Sequence, residues 1–321
     1  MKILVCNKKY EQAEDMLESQ IPGSKVVACE LTKVIESLDG VDVLVPSVAP
    51  ITAEIIEKGK FGLIQQLGVG LDNVDIEAAT RYGVWVANVP GAGSGNTESV
   101  AELAIAMMMT LGRRLDVARK NLADGIFFLP TGMALLNKTV CIVGLGDIGK
   151  GLAERLRPFG MRMLAVREHP EHGAPPGLGI EKVFGTAQIR EAVANADFVV
   201  LAVPETKSTR NLFNAETLAS MKKGSFLINV GRGGVLDTDA LLNVLQSGHL
   251  AGAGLDVYTV EPFDPSHPIF KQNVVATPHV GGNTDESWRG VTRGIIENIK
   301  LYASGQKPKH VVNEPATLRK N

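Results

Sequence analysis

The sequence predicts an α/β protein built from two parallel sheets, each wound with helices on both faces. Short runs rich in valine and isoleucine, such as KILVC, VDVLV and TVCIV, alternate with helical patterns along almost the whole chain. These runs are continuously apolar and do not alternate with polar residues, as is typical of parallel strands buried on both faces. Regular alternation of strand and helix indicates a doubly wound architecture.

The predicted elements fall into two blocks. The first block contains the runs KILVC, VDVLV, GLIQQ and VWVAN, and the second begins after residue 138 with TVCIV, RMLAV, FVVLAV, SFLINV, AGAGLDV and NVVATP. A long helix is predicted over Thr97–Leu115 between the blocks, and another over Asp285–Ala303 after the last strand. From Gly305 the chain is polar and carries two prolines, which predicts an irregular tail.

Length and charge limit the classes of function. A chain of 321 residues is long enough for about two domains. The net charge of −2 and the scattered Lys and Arg residues argue against a nucleic-acid or membrane-surface partner. The longest apolar stretch, VAELAIAMMMTLG, is too short for a membrane span, and the first residues lack a signal-peptide pattern. Three unpatterned cysteines fit a reducing cytoplasm, and no metal site is predicted.

A glycine-rich motif follows the strand TVCIV and precedes a helical pattern. It reads Gly144-Leu145-Gly146-Asp147-Ile148-Gly149. In this context Gly144 allows a tight turn, Gly146 lets a pyrophosphate approach the backbone, and Gly149 lets helix and strand pack closely. The phosphates would bind at the positive end of the helix. A tight turn that binds no ligand is the alternative interpretation.

The end of the next strand bears on which dinucleotide is bound. An acid that binds the ribose hydroxyls is expected there, yet RMLAV is followed by Arg167. Arginine pairs with a 2′-phosphate, so Arg167 favours NADP over NAD. NAD stays open because Glu168 comes next, and Arg167 could also be a plain surface residue at a strand end.

Three side chains after predicted strands match the needs of hydride transfer to a 2-keto acid. Such a reaction needs a cation for the carboxylate and carbonyl, a general acid near neutral pH, and a carboxylate that orients this acid. Arg232 lies in the glycine-padded turn of NVGRGGVLD, Glu261 in the loop of TVEPF, and His279 in ATPHVGG. Each one taken alone could equally be a solvated or structural residue.

Together, the motifs resemble those of the D-isomer-specific 2-hydroxyacid dehydrogenases. The segments VGLGDIG, NVGRGGVLDTDAL, GAGLDVYTVEP and ATPHVGGNT come in the order and near the spacing of that family, and LGVGLDNVD is similar too. The resemblance implies catalytic roles for Arg232, Glu261 and His279, with Glu261 raising the pKa of His279. It also implies that the glycine turn around Arg232 lets the backbone pass close to the nicotinamide and the substrate.

The resemblance implies further contacts and an organisation. Asp256 would hold the nicotinamide carboxamide, and the backbone N–H groups of Val69 and Gly70 would bind the substrate carboxylate. The remaining cofactor contacts implied are Val203, Pro204 and Val230. A Rossmann cofactor domain, residues 99–287, would be inserted in a flavodoxin-like substrate domain, residues 1–98 and 288–321, and the chain would form a homodimer.

The function expected is an NAD(P)-dependent reduction of a small 2-keto acid such as glyoxylate, hydroxypyruvate or pyruvate. A phosphoglycerate dehydrogenase-like activity is an alternative, although Val45–Thr52 lacks the Arg and Lys that a phosphate needs. A second alternative is a dinucleotide sensor on the same fold, like the corepressor relatives of the family. Formate oxidation is disfavoured, because Thr277 and Pro278 precede His279 where formate-using relatives carry a Gln.

Overall fold

The structure is a computed structural model that describes residues 1–10 and 12–319. For four of these residues it describes the backbone alone: Tyr10, Gln12, Ala13 and Met16. Lys320 and Asn321, which close the predicted segment 288–321, lie outside the described residues.

Twelve strands are formed by the described part of the chain. They are β1 Lys2–Val5, β2 Lys25–Ala28, β3 Val43–Val45, β4 Leu63–Gln65, β5 Trp85–Ala87, β6 Thr139–Val143, β7 Arg162–Val166, β8 Ile180–Phe184, β9 Phe198–Leu201, β10 Phe226–Asn229, β11 Gly252–Leu255 and β12 Val274–Ala276.

Ten α-helices are formed by the same residues. They are α1 Gln12–Gln20, α2 Ala53–Lys58, α3 Ile76–Arg81, α4 Asn96–Arg113, α5 Leu115–Ala123, α6 Asp147–Leu156, α7 Ile189–Val193, α8 Ala215–Ser220, α9 Thr238–Gln246 and α10 Asp285–Ala303. The predicted helix over Thr97–Leu115 thus begins and ends slightly earlier, and α10 has the predicted bounds.

The chain divides into two compact units. Unit 1 consists of Met1–Asn96 and Asp285–Asn321, and unit 2 of Thr97–Thr284. Unit 1 contains a five-stranded sheet in the order β2-β1-β3-β4-β5, and every pairing in it is parallel. This strand order, 2-1-3-4-5, is one of the two common doubly wound arrangements.

Unit 2 contains a seven-stranded parallel sheet. Its order is β12-β11-β10-β9-β6-β7-β8. Counted from its own first strand, the order is 3-2-1-4-5-6 with one more strand at the far edge, which is the dinucleotide-binding arrangement. The predicted fold class, two doubly wound parallel sheets, is confirmed.

Both sheets are buried on both faces, which explains the continuous apolar runs. In β1, Leu4 packs into one apolar cluster of unit 1 and its neighbour Ile3 into the other. In β6, Ile142 and Val143 likewise face opposite clusters of unit 2. Successive strand residues point to opposite faces, so a sheet covered by helices on both sides needs apolar residues at every position.

Two strands, β2 and β8, are not among those that the sequence pattern predicts. Each lies at an edge of its sheet, and in β8 only Phe184 is fully buried. An edge strand is covered on fewer sides than a central one, so its sequence, IEKVF in β8, carries more charge and a weaker strand signal.

Candidate active site

The residues predicted for the site in unit 2 follow the carboxyl ends of its strands. The sheet order reverses between β6 and β9, and ligands of doubly wound sheets bind in the crevice at such a reversal. Gly144 follows β6, and Val203 and Pro204 follow β9, on the two sides of this crevice. Val230, Asp256 and His279 come after the next strands of the sheet, β10, β11 and β12.

The glycine loop between β6 and α6 has the geometry that a pyrophosphate needs. Gly144 has φ +102°, and a β-carbon there would lie 2.6 Å from Val203. A β-carbon on Gly149 would overlap the carbonyl oxygen of Gly144, so helix and strand pack as closely as predicted. A β-carbon on Gly146 would meet nothing within 4 Å, and this side of the loop is open. First-turn N–H groups of α6, at Asp147 and Ile148, lack partners within the helix and suit an anion.

Arg167 is held at the end of β7. Its backbone N–H donates to Phe184 at 3.0 Å, and its Nη1 donates to the Gly173 carbonyl at 2.9 Å. The side chain is half-buried, whereas Glu168 is exposed. The guanidinium is therefore fixed in place by the turn that follows the strand, and its remaining N–H groups can serve an anionic partner.

The turn that carries Arg232 is fixed by Asn229, the fully buried last residue of β10. Its Oδ1 accepts from the Gly231 N–H at 3.1 Å, and its Nδ2 donates to the Arg232 carbonyl at 3.0 Å. The Arg232 backbone is extended, and its Nη1 donates to the Gly231 carbonyl at 2.9 Å. Sequence reasoning missed Asn229, although a lone amide at the end of an apolar strand can indicate a side chain that hydrogen-bonds to the turn after the strand.

At the glycines of this turn, the space that a side chain would need is occupied by other protein atoms. A β-carbon on Gly231 would lie 2.6 Å from the Val203 carbonyl oxygen, and one on Gly233 would overlap the backbone of Tyr258. One on Gly234 would overlap the carboxylate of Glu205. Neighbouring loops of unit 2 thus fill the space where these side chains would lie, and the close passage of the backbone to nicotinamide and substrate stays a prediction.

Glu261 and His279 are brought into direct contact although they are 18 residues apart. The Nδ1 of His279 lies 2.7 Å from Oε2 of Glu261, and Oε1 of Glu261 accepts from the Tyr258 N–H at 3.0 Å. The side chains are 47% and 37% exposed, so the pair is open to solvent on one side. Because Nδ1 faces the carboxylate, Nε2 is the ring nitrogen left to meet a substrate.

Electrostatics favour the charged form of this pair. The hydrogen bond to Glu261 raises the pKa of His279 above its ordinary value, and burial and the nearby Arg232 oppose this only in part. Burial tends to raise the pKa of Glu261, but the hydrogen bonds from His279 and Tyr258 outweigh it and lower that pKa. The contact between the two side chains therefore favours the protonated imidazole.

Asp256 organises the loop that carries His279. This carboxylate is 2% exposed, and it accepts from the Thr277 hydroxyl at 2.6 Å and from the N–H groups of Val280 and Gly281 at 2.8 and 2.9 Å. The Asp256 carbonyl accepts from the His279 N–H at 2.8 Å. Sequence reasoning missed this role, and the predicted contact of Asp256 with the nicotinamide stays a prediction.

In unit 1, Val69 and Gly70 lie in the loop that follows β4. Val69 is 42% exposed, and Gly70 is half-buried. Among the described residues, neither N–H group donates to a backbone carbonyl or to a side chain. Both N–H groups are thus available for an anion, as the prediction for the substrate carboxylate requires.

Comparisons with known proteins show which family the chain resembles. Residues 105–281 match the family model described as D-isomer specific 2-hydroxyacid dehydrogenase, NAD binding domain. A hydroxypyruvate reductase of Thermotoga maritima is 38% identical over 291 residues, 88% of this chain and 90% of that protein. A glyoxylate reductase of Thermococcus litoralis is 36% identical over 293 residues, 87% and 86% of the two chains.

Longer relatives and a solved structure extend the match. A D-3-phosphoglycerate dehydrogenase of Methanocaldococcus jannaschii is 36% identical over 321 residues, and the match covers 98% of this chain but only 60% of that protein. The crystal structure of the TT0316 protein from Thermus thermophilus superposes with a TM-score of 0.85 at 31% identity, covering 97% of this chain and 100% of that one.

The chain belongs to the D-isomer-specific 2-hydroxyacid dehydrogenase family. The family and the names of these relatives support an oxidoreductase that acts on hydroxy acids with a nicotinamide cofactor. None of the described helices is long and apolar enough to cross a membrane.

The glycine loop generates a prediction that separates packing from ligand binding. Gly149→Ala should destabilise the protein by about 1–3 kcal/mol, because its β-carbon overlaps the Gly144 carbonyl. Gly146→Ala should change the free energy of unfolding by less than about 0.5 kcal/mol, because its φ is −74° and the space is open. It should nevertheless weaken dinucleotide binding by about tenfold, through one lost close approach to a phosphate.

Urea unfolding and fluorescence titration with NADPH and NADH measure the two effects. Equal loss of stability in both variants would contradict the distinct roles of the two glycines. Unchanged dinucleotide binding in Gly146→Ala would remove Gly146 from the phosphate site.

A second prediction concerns the coupling of His279 to Glu261. Glu261→Gln should lower the pKa of His279, because the neutral amide no longer favours the imidazolium. NMR titration of the histidine ring protons measures this, and the other five histidines serve as internal controls. If the His279 titration is the same in wild type and variant, the hydrogen bond to Glu261 does not set its protonation state.

Proposed function

We propose that the protein reduces a small 2-keto acid to the D-2-hydroxy acid, using a nicotinamide dinucleotide and preferring NADPH. The observation that carries this proposal is the contact between His279 and Glu261 at 2.7 Å, which favours a protonated imidazole after β12. Relatives named glyoxylate reductase and hydroxypyruvate reductase support the substrate class.

Arg232 is proposed to bind the carboxylate and the carbonyl oxygen of the substrate. Its planar fork of donors matches two oxygens at once, and its permanent charge stabilises the negative charge that develops on the carbonyl oxygen. The two hydrogen bonds of the Asn229 amide, to the Gly231 N–H and the Arg232 carbonyl, fix the backbone at Arg232 and thus the position of its Cα–Cβ bond.

His279 is proposed to supply the proton. A bound dinucleotide supplies the hydride for C2 of the keto acid. The Nε2–H of His279 donates its proton to the oxygen as the alkoxide forms, and Glu261 stabilises the imidazolium until that transfer. Because this step needs the charged imidazole, the rate of reduction should fall as the pH rises through the raised pKa of His279.

The glycine loop and Arg167 are proposed to hold the dinucleotide. Gly144, Gly146, Asp147, Ile148 and Gly149 would receive the pyrophosphate. Val203, Pro204 and Val230, at the ends of neighbouring strands, would line the same crevice, and Asp256 would meet the carboxamide. The fixed guanidinium of Arg167 supports a preference for the 2′-phosphate of NADPH.

The two units are proposed to have different tasks. Unit 2, with the strand order typical of dinucleotide binding, would be the cofactor domain, and unit 1 the substrate domain that offers Val69 and Gly70. A phosphoglycerate dehydrogenase-like activity is a second candidate, favoured by relatives of that name, the M. jannaschii protein among them. It is disfavoured because Val45–Thr52 carries no basic residue for a phosphate.

A homodimer through unit 2 is also proposed. Helix α5 and the segment after it expose a group of large apolar side chains: Leu115, Leu122, Ile126, Phe127, Phe128, Leu129 and Leu136. Phe128 is 101% exposed and Phe127 65%, and such patches are typical of interfaces. Light scattering should give about twice the chain mass of 34.2 kDa. A mass of one chain at micromolar concentration would contradict the dimer.

A cytoplasmic setting is proposed as well. The cysteines Cys6, Cys29 and Cys141 are all buried and unpaired, which suits a reducing compartment.

Initial rates test the proposed function. Purified protein is assayed with NADPH and NADH in parallel against glyoxylate, hydroxypyruvate, pyruvate, a larger 2-keto acid and phosphohydroxypyruvate. Turnover of a small unphosphorylated keto acid with NADPH preferred is the expected result. Preference for phosphohydroxypyruvate would establish the phosphoglycerate-type activity. Tight dinucleotide binding without any turnover would favour a dinucleotide sensor.

Variants make the test specific to the residues. His279→Ala should lower kcat by about 10²–10⁴-fold, as expected for loss of a general acid. Arg232→Ala should lower the activity, and Arg232→Lys should be no more active than Arg232→Ala. The reason is that the ammonium of lysine is a point charge and cannot bind two oxygens as the planar guanidinium does. Arg167→Asp should shift the preference toward NADH, and an unchanged NADPH to NADH ratio would remove Arg167 from the cofactor site.

A further inference from the structure

We propose that Cys6 and Cys29 form a redox-active thiol pair, which a hydroperoxide converts to an intramolecular disulfide. Cys6 follows β1 and Cys29 follows β2, so both lie at the carboxyl edge of the parallel sheet of unit 1. The proposed reduction of a keto acid uses neither thiol. The inference therefore goes beyond the proposed function and does not depend on it.

The two cysteines are neighbours across a pair of parallel strands. Val5 of β1 is paired with Ala28 of β2, and the cysteines are the next residues along the two strands. The Cys29 N–H donates to the Val5 carbonyl at 3.0 Å, which continues the ladder beyond the paired residues. Neighbouring strands lie about 4.8 Å apart, within the Cα separations of about 4.4–6.8 Å that a disulfide spans.

Both side chains point to the same face of this sheet. Cys6 and Cys29 belong to one apolar cluster of unit 1. The residues just before them, Val5 and Ala28, pack in the cluster on the other face. The two thiols are hydrogen-bonded to each other, and the Cys6 N–H also donates to the Val45 carbonyl at 2.9 Å. The pair is therefore held together by the backbone of three adjacent strands.

The two thiols differ in exposure and in acidity. Cys29 follows the edge strand β2 and is 7% exposed, whereas Cys6 is fully buried. The hydrogen bond from the Cys6 thiol lowers the pKa of Cys29 to about 7. A hydrogen bond from Ser37 acts in the same direction, and burial and the charge of Glu30 oppose this only in part. The same contact and burial raise the pKa of Cys6.

Cys29 is thus the nucleophile that a small oxidant meets first, and Cys6 is the thiol that resolves the product. The Cys29 thiolate attacks one oxygen of the hydroperoxide. An S–O bond forms as the O–O bond breaks, and the leaving oxygen takes up a proton to give an alcohol or water. The Cys6 sulfur then attacks the sulfur of this sulfenic acid. The S–S bond forms as the S–O bond breaks, and hydroxide leaves as water with the proton of the Cys6 thiol. The two thiols lose two electrons in total, and these electrons reduce the O–O bond.

The third cysteine, Cys141, provides a control within the same chain. It lies inside β6 and is fully buried, and burial raises its pKa to about 12. It belongs to unit 2, whereas the other two cysteines of the chain belong to unit 1. A thiol that is buried and protonated is inert. Oxidation that depends on the pair should therefore leave Cys141 reduced.

Peptide mapping after treatment with hydrogen peroxide tests the pair. The reduced full-length chain is exposed to peroxide, unfolded with iodoacetamide present, and digested with trypsin without reductant. The expected product is a disulfide that joins peptides 3–8 and 26–33, and dithiothreitol should release the two peptides. Cys141, in peptide 139–150, should remain fully alkylated. Alkylation of all three cysteines after peroxide would overturn the proposal, as would loss of Cys141 at the same rate as Cys29.

The urea-unfolded chain is the matched control for the geometry. Its three cysteines have no fixed neighbours, so oxidation should also give cross-links that include Cys141. The folded chain should give the link between Cys6 and Cys29 alone. The same mixture of cross-links from folded and unfolded protein would overturn the proposal, because the fold would then not select the pair.

Alanine variants test the order of attack. In Cys6→Ala, oxidation of Cys29 should stop at the sulfenic acid, which dimedone traps. In Cys29→Ala, oxidation of Cys6 should be lost, since Cys6 is fully buried. Oxidation of Cys6 in Cys29→Ala at the wild-type rate would overturn the assignment of Cys29 as the first nucleophile. If neither variant folds, the peptide map of the wild-type chain decides whether the pair is redox-active.

Discussion

The buried carboxylate of Asp256 is the constraint on which the arrangement of unit 2 depends. A carboxyl group with 2% exposure is tolerated only when hydrogen bonds replace its water, and here two N–H groups and one hydroxyl of the 277–281 segment do so. The loop after β12 must therefore close over the end of β11. Closure fixes His279 in a left-handed conformation, with φ +55°, and directs its ring toward Glu261. The contact between His279 and Glu261 thus depends on the hydrogen bonds made by one buried carboxyl group.

Close packing between loops accounts for most of the glycines near the site. A β-carbon on Gly149 would overlap the Gly144 carbonyl, and one on Gly231 or Gly233 would overlap backbone that follows β9 or β11, so these glycines let the segments after the strands pack closely. Gly146 differs, because nothing lies within 4 Å of its absent side chain. Only the surroundings distinguish a glycine required by packing from one, such as Gly146, whose open side is proposed to leave room for a ligand.

In both units, side-chain amides fix the backbone of functional loops by hydrogen bonds. Asn229 holds the turn of Arg232, and Gln66 and Asn88 hold the loop of Val69 and Gly70. An amide can donate and accept at once without adding charge, which suits a place where a carboxylate substrate is proposed to bind. The charged groups, Arg232 and the His279–Glu261 pair, are the ones proposed to carry out the chemistry.

The sequence by itself determined the fold class, because burial on both faces of a parallel sheet requires apolar residues at every strand position. It also determined the glycine loop and the candidates Arg232, Glu261 and His279, since residue type and the preceding strand are local features. Tertiary structure alone decided the edge strands β2 and β8, whose partial exposure weakens their pattern, and the partners of each polar group. Asp256 contacts Gly281, 25 residues away along the chain, and Asn88 contacts the Val69 carbonyl, 19 residues away. Asn229 and Gln66 contact carbonyls only three and four residues away, in turns whose shape the strand pattern does not encode. Which donor meets which acceptor depends on how loops pack at the carboxyl edge of a sheet, and no periodicity along the chain encodes that distance.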